Sequence, residues 1–262
     1  MGNTHDGSKG SQFWMQKIVN EAYLKDELDK MIGEKLIWIS PLEEELYKEY
    51  MIPGDEKILS KKEKLPEFEN VDFSFWPKTN GRKPTFDGIA ISEDRSTLYL
   101  FEAKSHLTEM ISETGAGTDS LNVISKCMQE ACAKLFGSDS KYNKEIWEKV
   151  EVKDKKKKQV FYQLGNRLTL LYYLNKRRDV TNLPESIKVK LVLLNIVDDY
   201  THNDKNKIIS KEKWEEHYKK VFCMMKYGDV PEGKLEEINI PENVEIIYFE
   251  PRKYNRSELS EE

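Results

Sequence analysis

Two acidic residues and a lysine stand on neighbouring segments whose residue types suit metal-assisted chemistry. Asp87 lies within the segment 84–92, and Glu102 and Lys104 lie within the segment 97–105. Both segments are short apolar runs rich in β-branched and aromatic residues, a composition typical of β-strands. The sequence therefore predicts one carboxylate on the first strand and a Glu-x-Lys triplet on the second.

The polar residues 93–96 between these segments predict a hairpin connection. If the hairpin is symmetric about this break, Asp87 lies directly opposite Glu102, and Thr85 lies opposite Lys104. Directly opposite residues on one face of an antiparallel pair have Cβ atoms about 5 Å apart. The predicted register thus brings two carboxylates together, with an ammonium group two positions further along.

Both faces of the predicted hairpin are largely apolar. Alternation puts the two acids on the face of Ile89, Ile91, Leu98 and Leu100. The opposite face carries Phe86, Ala90, Tyr99, Phe101 and Ala103.

Facing carboxylates in such surroundings repel each other and lose hydration. A divalent cation between them removes both penalties, because hard cations bind carboxylate and carbonyl oxygens. The competing interpretation is purely structural: Asp87 caps the end of the hairpin, and Glu102 pairs with Lys104.

A lone acid on one strand followed by Glu-x-Lys on the next resembles the PD-(D/E)XK nuclease superfamily, whose fold is restriction-endonuclease-like. Residues 85–88 stand for its first acidic element, although no proline directly precedes the acid. The resemblance covers about residues 10 to 200. It implies that Asp87, Glu102 and the backbone carbonyl of Ala103 hold Mg²⁺, for which Mn²⁺ may substitute. It also implies that Lys104 positions or activates water.

The segment 159–174 carries the second informative pattern. Gln163 and Arg167 are four residues apart on one face of a predicted helix, away from the leucine face. Gln-x-x-x-Arg after Glu-x-Lys resembles the glutamine motif of the superfamily, and Tyr-Gln-x-x-Asn-Arg-Leu resembles a largely uncharacterised bacterial branch. The resemblance implies contacts from Gln163 and Arg167 to water or phosphate. An amphipathic helix with surface amides is the alternative, and on either interpretation we expect truncation of these two side chains to cost little stability.

A lysine run lies just before this helix, at Lys155, Lys156, Lys157 and Lys158. Beside a nuclease groove it would attract phosphates and so contact nucleic acid. A solvated connection explains the same composition without any function.

Composition describes a polar globular chain of 262 residues with a net charge of −5, 38% hydrophobic residues and 34% charged residues. That charge argues against general coating of nucleic acid, but a local basic groove can still bind it. Three cysteines without C-x-x-C spacing indicate a reduced, cytoplasmic environment and predict no cysteine zinc site. No apolar run approaches the length of a membrane span.

The remaining pattern predicts a helix over 11–31, a strand over 71–77 that completes a three-stranded meander, and a fully buried strand over 189–197. A further helix is predicted over 211–227 and a last strand over 244–249.

Several polar residues are weaker site candidates. His106 and Glu109 follow the Glu-x-Lys strand, and Asn20 or Glu21 on the first helix are the polar residues that the superfamily resemblance suggests. Asp198 and Asp199 are most simply exposed loop acids.

Together these patterns predict an α/β protein with a restriction-endonuclease-like mixed β-sheet, flanked by helices and carrying helical insertions. Residues 1–10 are expected to be a flexible leader, 11–256 a single nuclease-like domain, and 257–262 a disordered acidic tail. The predicted function is Mg²⁺-dependent hydrolysis of phosphodiester bonds in nucleic acid, with DNA as the first expectation.

Two alternatives remain open: a catalytically silent module of this fold that binds nucleic acid or a protein partner, and an enzyme acting on a small phosphorylated molecule. The sequence predicts no membrane partner and leaves the oligomeric state open, a homodimer included.

Overall fold

A five-stranded mixed sheet with helices on both faces forms the centre of the computed structural model. The structure describes residues 7–52, 65, 70–77, 84–149 and 159–254. The predicted acidic tail and most of the predicted leader lie outside these residues. The observed architecture confirms the predicted α/β class and the mixed sheet flanked by helices.

The sheet has the strand order β1-β4-β5-β6-β7, and a separate two-stranded ladder joins β2 to β3. The strands are β1 (Leu36–Ser40), β2 (Tyr50–Met51), β3 (Thr85–Phe86), β4 (Gly88–Ser92), β5 (Thr97–Lys104), β6 (Lys188–Ile196) and β7 (Val244–Phe249). β1, β4 and β5 are antiparallel, whereas β5, β6 and β7 are parallel. The carboxyl ends of the three parallel strands therefore meet at one edge of the sheet.

Seven α-helices surround this sheet in the part of the chain that the structure describes. They are α1 (Gly10–Asn20), α2 (Ala22–Ile32), α3 (Thr118–Phe136), α4 (Lys144–Trp147), α5 (Tyr162–Lys176), α6 (Arg178–Thr181) and α7 (Lys211–Tyr227). None of these helices combines the length and the apolar character that crossing a bilayer requires.

Two hydrophobic layers enclose the sheet. On one side, Met128 of α3, Leu168 of α5 and Trp214 of α7 belong to one buried cluster with the side chains of Leu98 and Leu100. On the other side, α1 and α2 pack against the face that carries Phe101 and its neighbours. Because both faces are covered, all eight residues of β5 are buried, as the mostly apolar strand pattern predicts.

The predicted single helix over 11–31 is wrong in one respect, because two helices meet at Glu21. This residue has extended backbone angles, ending α1 and preceding α2. The break lets the apolar residues of both helices, among them Ile18 and Leu28, reach the same core. Gly33 ends α2 in a left-handed conformation.

The predicted strand over 71–77 is also wrong. These residues form no strand, and their aromatic side chains pack on the helical layer, with Phe75 stacked on Tyr173 at a centroid distance of 4.2 Å. The third strand of the antiparallel meander is β1 instead. Alternating apolar residues can fill a groove between helices as well as one face of a sheet, so periodicity alone did not separate the two cases.

Candidate functional site

The predicted hairpin register is the observed one. β4 and β5 pair through Ile91 with Leu98, Ile89 with Leu100, and Gly88 with Phe101. Asp87 and Glu102 occupy the next position of this register, where the ladder ends at a bend. At that position Asp87 accepts the N–H of Ala103 on its Oδ2 at 2.7 Å.

The bend at Asp87 sends the preceding residues into a different ladder. Thr85 and Phe86 form β3 and pair with β2, so Thr85 does not lie opposite Lys104 as predicted. Phe86 also belongs to the core on the α3 and α5 side, not to the opposite face that simple alternation predicts. One residue of irregular backbone is enough to reverse the face of every residue before it.

This second ladder brings a carboxylate that the sequence analysis missed. β2 pairs with β3 through Tyr50 with Phe86, and the next position of that register sets Glu49 beside Asp87. The charges of Glu49 and Glu102 both act on Asp87. Two short ladders therefore bring three carboxyl groups close enough for their charges to interact.

Two cations hold the carboxylate of Glu102 from opposite sides. Lys104 donates to Oε1, and Arg167 donates through Nε to Oε2 at 2.8 Å. The side chains of Glu102 and Arg167 are only 4% and 3% exposed, respectively. Ion pairs this deeply buried interact strongly, since little water screens their charges.

The charges in this cluster shift the pKa values of its members in opposite directions. Burial favours the neutral form of Glu102, but Lys104 and Arg167 outweigh it and lower the pKa of the carboxyl. Burial also opposes the charge on Lys104, yet Glu102 and Asp87 raise the pKa of the ammonium. Lys104 is therefore a cation at neutral pH, and Glu102 is an anion.

Asp87 differs from Glu102 because no cation contacts it in the described structure. Burial and the charge of Glu102 raise the pKa of Asp87 to about 8, against the opposing charge of Lys104. Burial and Glu102 also raise the pKa of Glu49. The cluster thus carries more acidic groups than its two cations neutralise, and the excess is located at Asp87 and Glu49.

Gln163 and Arg167 reach the site from the first turns of α5, but they do so differently. Gln163 accepts a hydrogen bond from Lys104 Nζ at 3.2 Å, and its own N–H binds Ser112 Oγ. Arg167 donates hydrogen bonds from its two other guanidinium nitrogens to Asn166 Oδ1 and to the carbonyl of Thr85. The interpretation of Arg167 as a surface side chain is therefore wrong, because its guanidinium is buried and each of its nitrogens donates a hydrogen bond. We now expect its truncation to cost stability.

The site itself is nearly closed among the described residues. A cavity of about 10 Å³ borders Glu102, Lys104 and Gln163, which is room for roughly one water molecule. A much larger cavity, about 670 Å³, lies at the other end of α5, beside Arg177. Because that larger cavity contains none of the buried acids, we locate the candidate chemistry at the smaller one.

The donor set fits a divalent cation of the Mg²⁺ class. Asp87, Glu102 and Glu49 supply only hard oxygen donors, the type that Mg²⁺ and Mn²⁺ prefer. The raised pKa of Asp87 reflects a surplus of buried acid, and a cation would offset that surplus. Ala103 lies between the two acidic strands, and its N–H already orients Asp87.

Two other groups of residues that the sequence analysis named as site candidates have no described contact with the site. Lys155, Lys156, Lys157 and Lys158 lie outside the described residues. Asn20 ties α1 to the segment after β1 by donating to the carbonyl of Pro41 and accepting from Glu43, and Glu21 pairs with Lys17. Neither Asn20 nor Glu21 has a described contact with the candidate site.

Two further sequence expectations concern the segments after β5 and β6. His106 and Glu109 lie together with His202, next to the site. Asp199 is fully buried rather than exposed, because Trp14 and Thr201 donate to it. The sequence did not reveal this burial, since it depends in part on the distant Trp14.

Glu49 is the candidate ligand that sequence reasoning missed. It precedes a strand of only two residues, which is too short for any alternation to be visible. The alternation around Asp87 is legible in the sequence, whereas the approach of Glu49 depends on the bend at Asp87.

The chain was compared with protein-family models, with curated proteins and with solved structures, and none of the three comparisons returned a match. The superfamily resemblance therefore rests on the residues and their geometry alone.

Proposed function

We propose that this protein is a metal-dependent nuclease that hydrolyses phosphodiester bonds in nucleic acid, with DNA as the expected substrate. The observation that carries the proposal is the convergence of Asp87, Glu102 and Lys104 at one end of a buried hairpin. A partly buried acid with a raised pKa beside specific charged groups, as at Asp87, is a common mark of a functional site.

Asp87 and Glu102 would hold the cation, with the Ala103 carbonyl and Glu49 as further oxygen donors. Such an ion supplies Lewis acidity toward a phosphoryl oxygen and lowers the pKa of water. Metal binding requires Asp87 in its ionised form, so the bound cation must displace the proton that burial favours.

Lys104 would act as a charge rather than as a base. Its pKa is raised by Glu102 and Asp87, so it keeps its proton near neutral pH. A fixed ammonium beside the reacting phosphate stabilises the negative charge that develops there. Gln163 holds that ammonium by its side-chain oxygen and is proposed to aim it.

Arg167 is proposed as a positioning residue. Its nitrogens are bound to Glu102, Asn166 and Thr85, so its described role is to orient Glu102. The lysines at 155–158 remain proposed phosphate contacts.

A second candidate function, the catalytically silent nuclease-fold module, is favoured by a different observation. Both oxygens of Glu102 accept hydrogen bonds from cations, and the adjoining cavity has room for about one water molecule. A protein that kept this cluster only for stability would bind nucleic acid or a protein partner without cutting.

Incubation of the purified chain with supercoiled plasmid, linear single-stranded DNA and RNA separates the two functions. We expect cleavage with Mg²⁺ or Mn²⁺, none with chelator, and none with Asp87→Asn. Arg177→Met, at the other end of α5, is the matched control and should cut like the wild type. Metal-independent cleavage, or equal cleavage by Asp87→Asn, contradicts the proposal, and binding without cleavage of any substrate supports the silent module.

A further inference from the structure

A second cluster of metal-ligating side chains lies at the same edge of the sheet as the candidate site. His106 and Glu109 follow β5, and His202 follows β6. One potential ligand atom from each of the three lies within 4.8 Å of those of the others. His106 Nε2 and Glu109 Oε1 are 3.2 Å apart.

A buried and unpartnered oxygen points to the same place. Asp199 Oδ1 accepts hydrogen bonds from Trp14 Nε1 and from the N–H and hydroxyl of Thr201. Asp199 Oδ2 is buried and accepts none, and it lies 3.6 Å from His202 Nε2. A carboxylate oxygen buried without a donor is costly, so this atom is a natural ligand or a charge partner for a cation.

Hydrogen bonds already orient the side chains of Glu109 and His106. Glu109 Oε2 accepts the N–H of Ser105 at 2.7 Å, and Oε1, which also accepts the Ser105 hydroxyl at 3.2 Å, faces the cluster. His106 Nδ1 is 2.8 Å from Thr108 Oγ1, which leaves Nε2 toward the cluster. Hydrogen bonds of this kind orient metal ligands and set the imidazole tautomer.

The same residues do not form a serine nucleophile. Ser105 Oγ is 3.0 Å from His202 Nε2, but Asp199 Oδ2 approaches that same nitrogen. In a catalytic triad the carboxylate holds the opposite ring nitrogen and so frees the first one to act as base. Ser105 is moreover fully buried, so its hydroxyl serves here as a hydrogen-bonding bridge.

We propose that His106, Glu109 and His202 bind a divalent late transition-metal ion, with Zn²⁺ as the expected ion and with Asp199 as the neighbouring negative charge beside His202. Two imidazoles with carboxylates suit Zn²⁺ and do not suit Mg²⁺. A tetrahedral ion with bonds of about 2.0 Å keeps its ligands about 3.3 Å apart. The 3.2 Å between His106 Nε2 and Glu109 Oε1 already matches that spacing, and the ligand atoms of the three residues lie within 4.8 Å of one another.

Such an ion would clamp the segment after β5 to the segment after β6. Ser105 directly follows Lys104, so the clamp would hold the end of the strand that carries the candidate site. The three cysteines are buried elsewhere, in the helical layers, and take no part. This metal site is independent of whether the protein cleaves nucleic acid.

Calorimetric titration of the chelator-treated full chain with zinc chloride tests the proposal. We expect one tight equivalent of zinc per chain and a rise in the melting temperature. His106→Gln and His202→Gln should each weaken the zinc affinity by at least about 100-fold, since even outer-shell changes cost 10- to 100-fold. Cobalt bound in place of zinc should show the visible absorption bands of a tetrahedral ion.

Two control variants decide where the ion sits. His217→Gln changes a histidine on α7 that is not part of the cluster and should leave zinc affinity unchanged. Asp87→Asn should also leave it unchanged. Equal zinc affinity in the wild type and His106→Gln, or loss of zinc by Asp87→Asn, overturns the proposal. If the buried His202 variant fails to fold, His106→Gln carries the test, because that side chain is partly exposed.

Discussion

The two ends of α5 present opposite combinations of charge and space. At its first turns, Arg167 is buried and binds a buried carboxylate, and the neighbouring cavity holds about 10 Å³. At its last turn, Arg177 and Glu130 form a pair whose side chains are 31% and 33% exposed, beside a cavity of about 670 Å³. The larger cavity and the buried charges therefore lie at opposite ends of the same helix.

This contrast explains why we take buried charge, rather than cavity size, as the guide to the candidate site. The C-terminal cavity is lined by ordinary surface pairs, and water screens charges that are one-third exposed. At the N-terminal end, burial and the charge of Glu102 raise the pKa values of Asp87 and Glu49, whereas Lys104 and Arg167 lower the pKa of Glu102. Because these charges are poorly hydrated, their electrostatic interactions are strong enough to serve catalysis or metal binding.

The largest expected effect is on stability, at Arg167. Arg167→Met removes one of the two cations that hold Glu102 and leaves the other side of that buried carboxylate without a donor. We expect a loss of about 3–5 kcal/mol in the free energy of unfolding, measured by urea denaturation. A loss below about 1 kcal/mol would mean that the N-terminal cluster is hydrated like the C-terminal pair.

The next effect is a pH dependence at Asp87. The pKa of this carboxyl is about 8 in the folded chain, against an ordinary value of 3.8. Between these values the unfolded chain has lost the proton that the folded chain keeps, so stability falls as pH rises. The wild type should lose stability relative to Asp87→Asn, by up to about 1.4 kcal/mol per pH unit.

Denaturant titrations of both chains at several pH values between about 4 and 8 test this difference. Saturating Mg²⁺ or Mn²⁺ should restore the stability of the wild type at high pH and do little for Asp87→Asn. Parallel pH curves for the two chains would show that folding does not raise the pKa of Asp87.

A smaller and more specific effect is expected at Gln163. Gln163→Ala removes the oxygen that holds Lys104 Nζ, while the ion pair between Lys104 and Glu102 remains. If the proposed function is correct, the single-turnover cleavage rate should fall by on the order of 10²-fold. Metal affinity and the unfolding free energy should change little, and a loss of stability as large as that of Arg167→Met would assign Gln163 to the buried scaffold.

The smallest effect is expected at the open end of α5. Arg177→Met breaks the exposed pair with Glu130, and exposed pairs contribute at most about 1 kcal/mol. Urea denaturation at low and high salt should show a small loss that salt reduces further. A loss comparable with that of Arg167→Met would remove the contrast between the two ends.

Much of the fold was predictable because it depends on local patterns. The apolar run of β6 and the amphipathic α7 are confirmed, since a strand buried on both faces and a helix with one buried face each have a distinctive period. The segment 71–77 was not predictable in this way, because its aromatic residues follow the same alternation as a strand but pack on helices.

The candidate site likewise has features that the sequence predicted and features that it did not. The juxtaposition of Asp87 and Glu102 follows from the hairpin register, which a short polar connection and alternating residues determine by themselves. The approach of Gln163 to Lys104 agrees with the helix face proposed from the sequence. The burial of Arg167 was missed, because an arginine on a helix is ordinarily exposed and only its tertiary partners reverse that.

The sequence by itself determined the class of the fold, the hairpin and the acidic pair, because each depends on residues close together in the chain. Only the tertiary structure decided the arrival of Glu49 through the bend at Asp87, the burial of Arg167 against Glu102, and the meeting of His106 with His202. These contacts join residues that are far apart in sequence, and their free energy comes from desolvation and charge pairing. Such terms exist only after the sheet and its helices have packed.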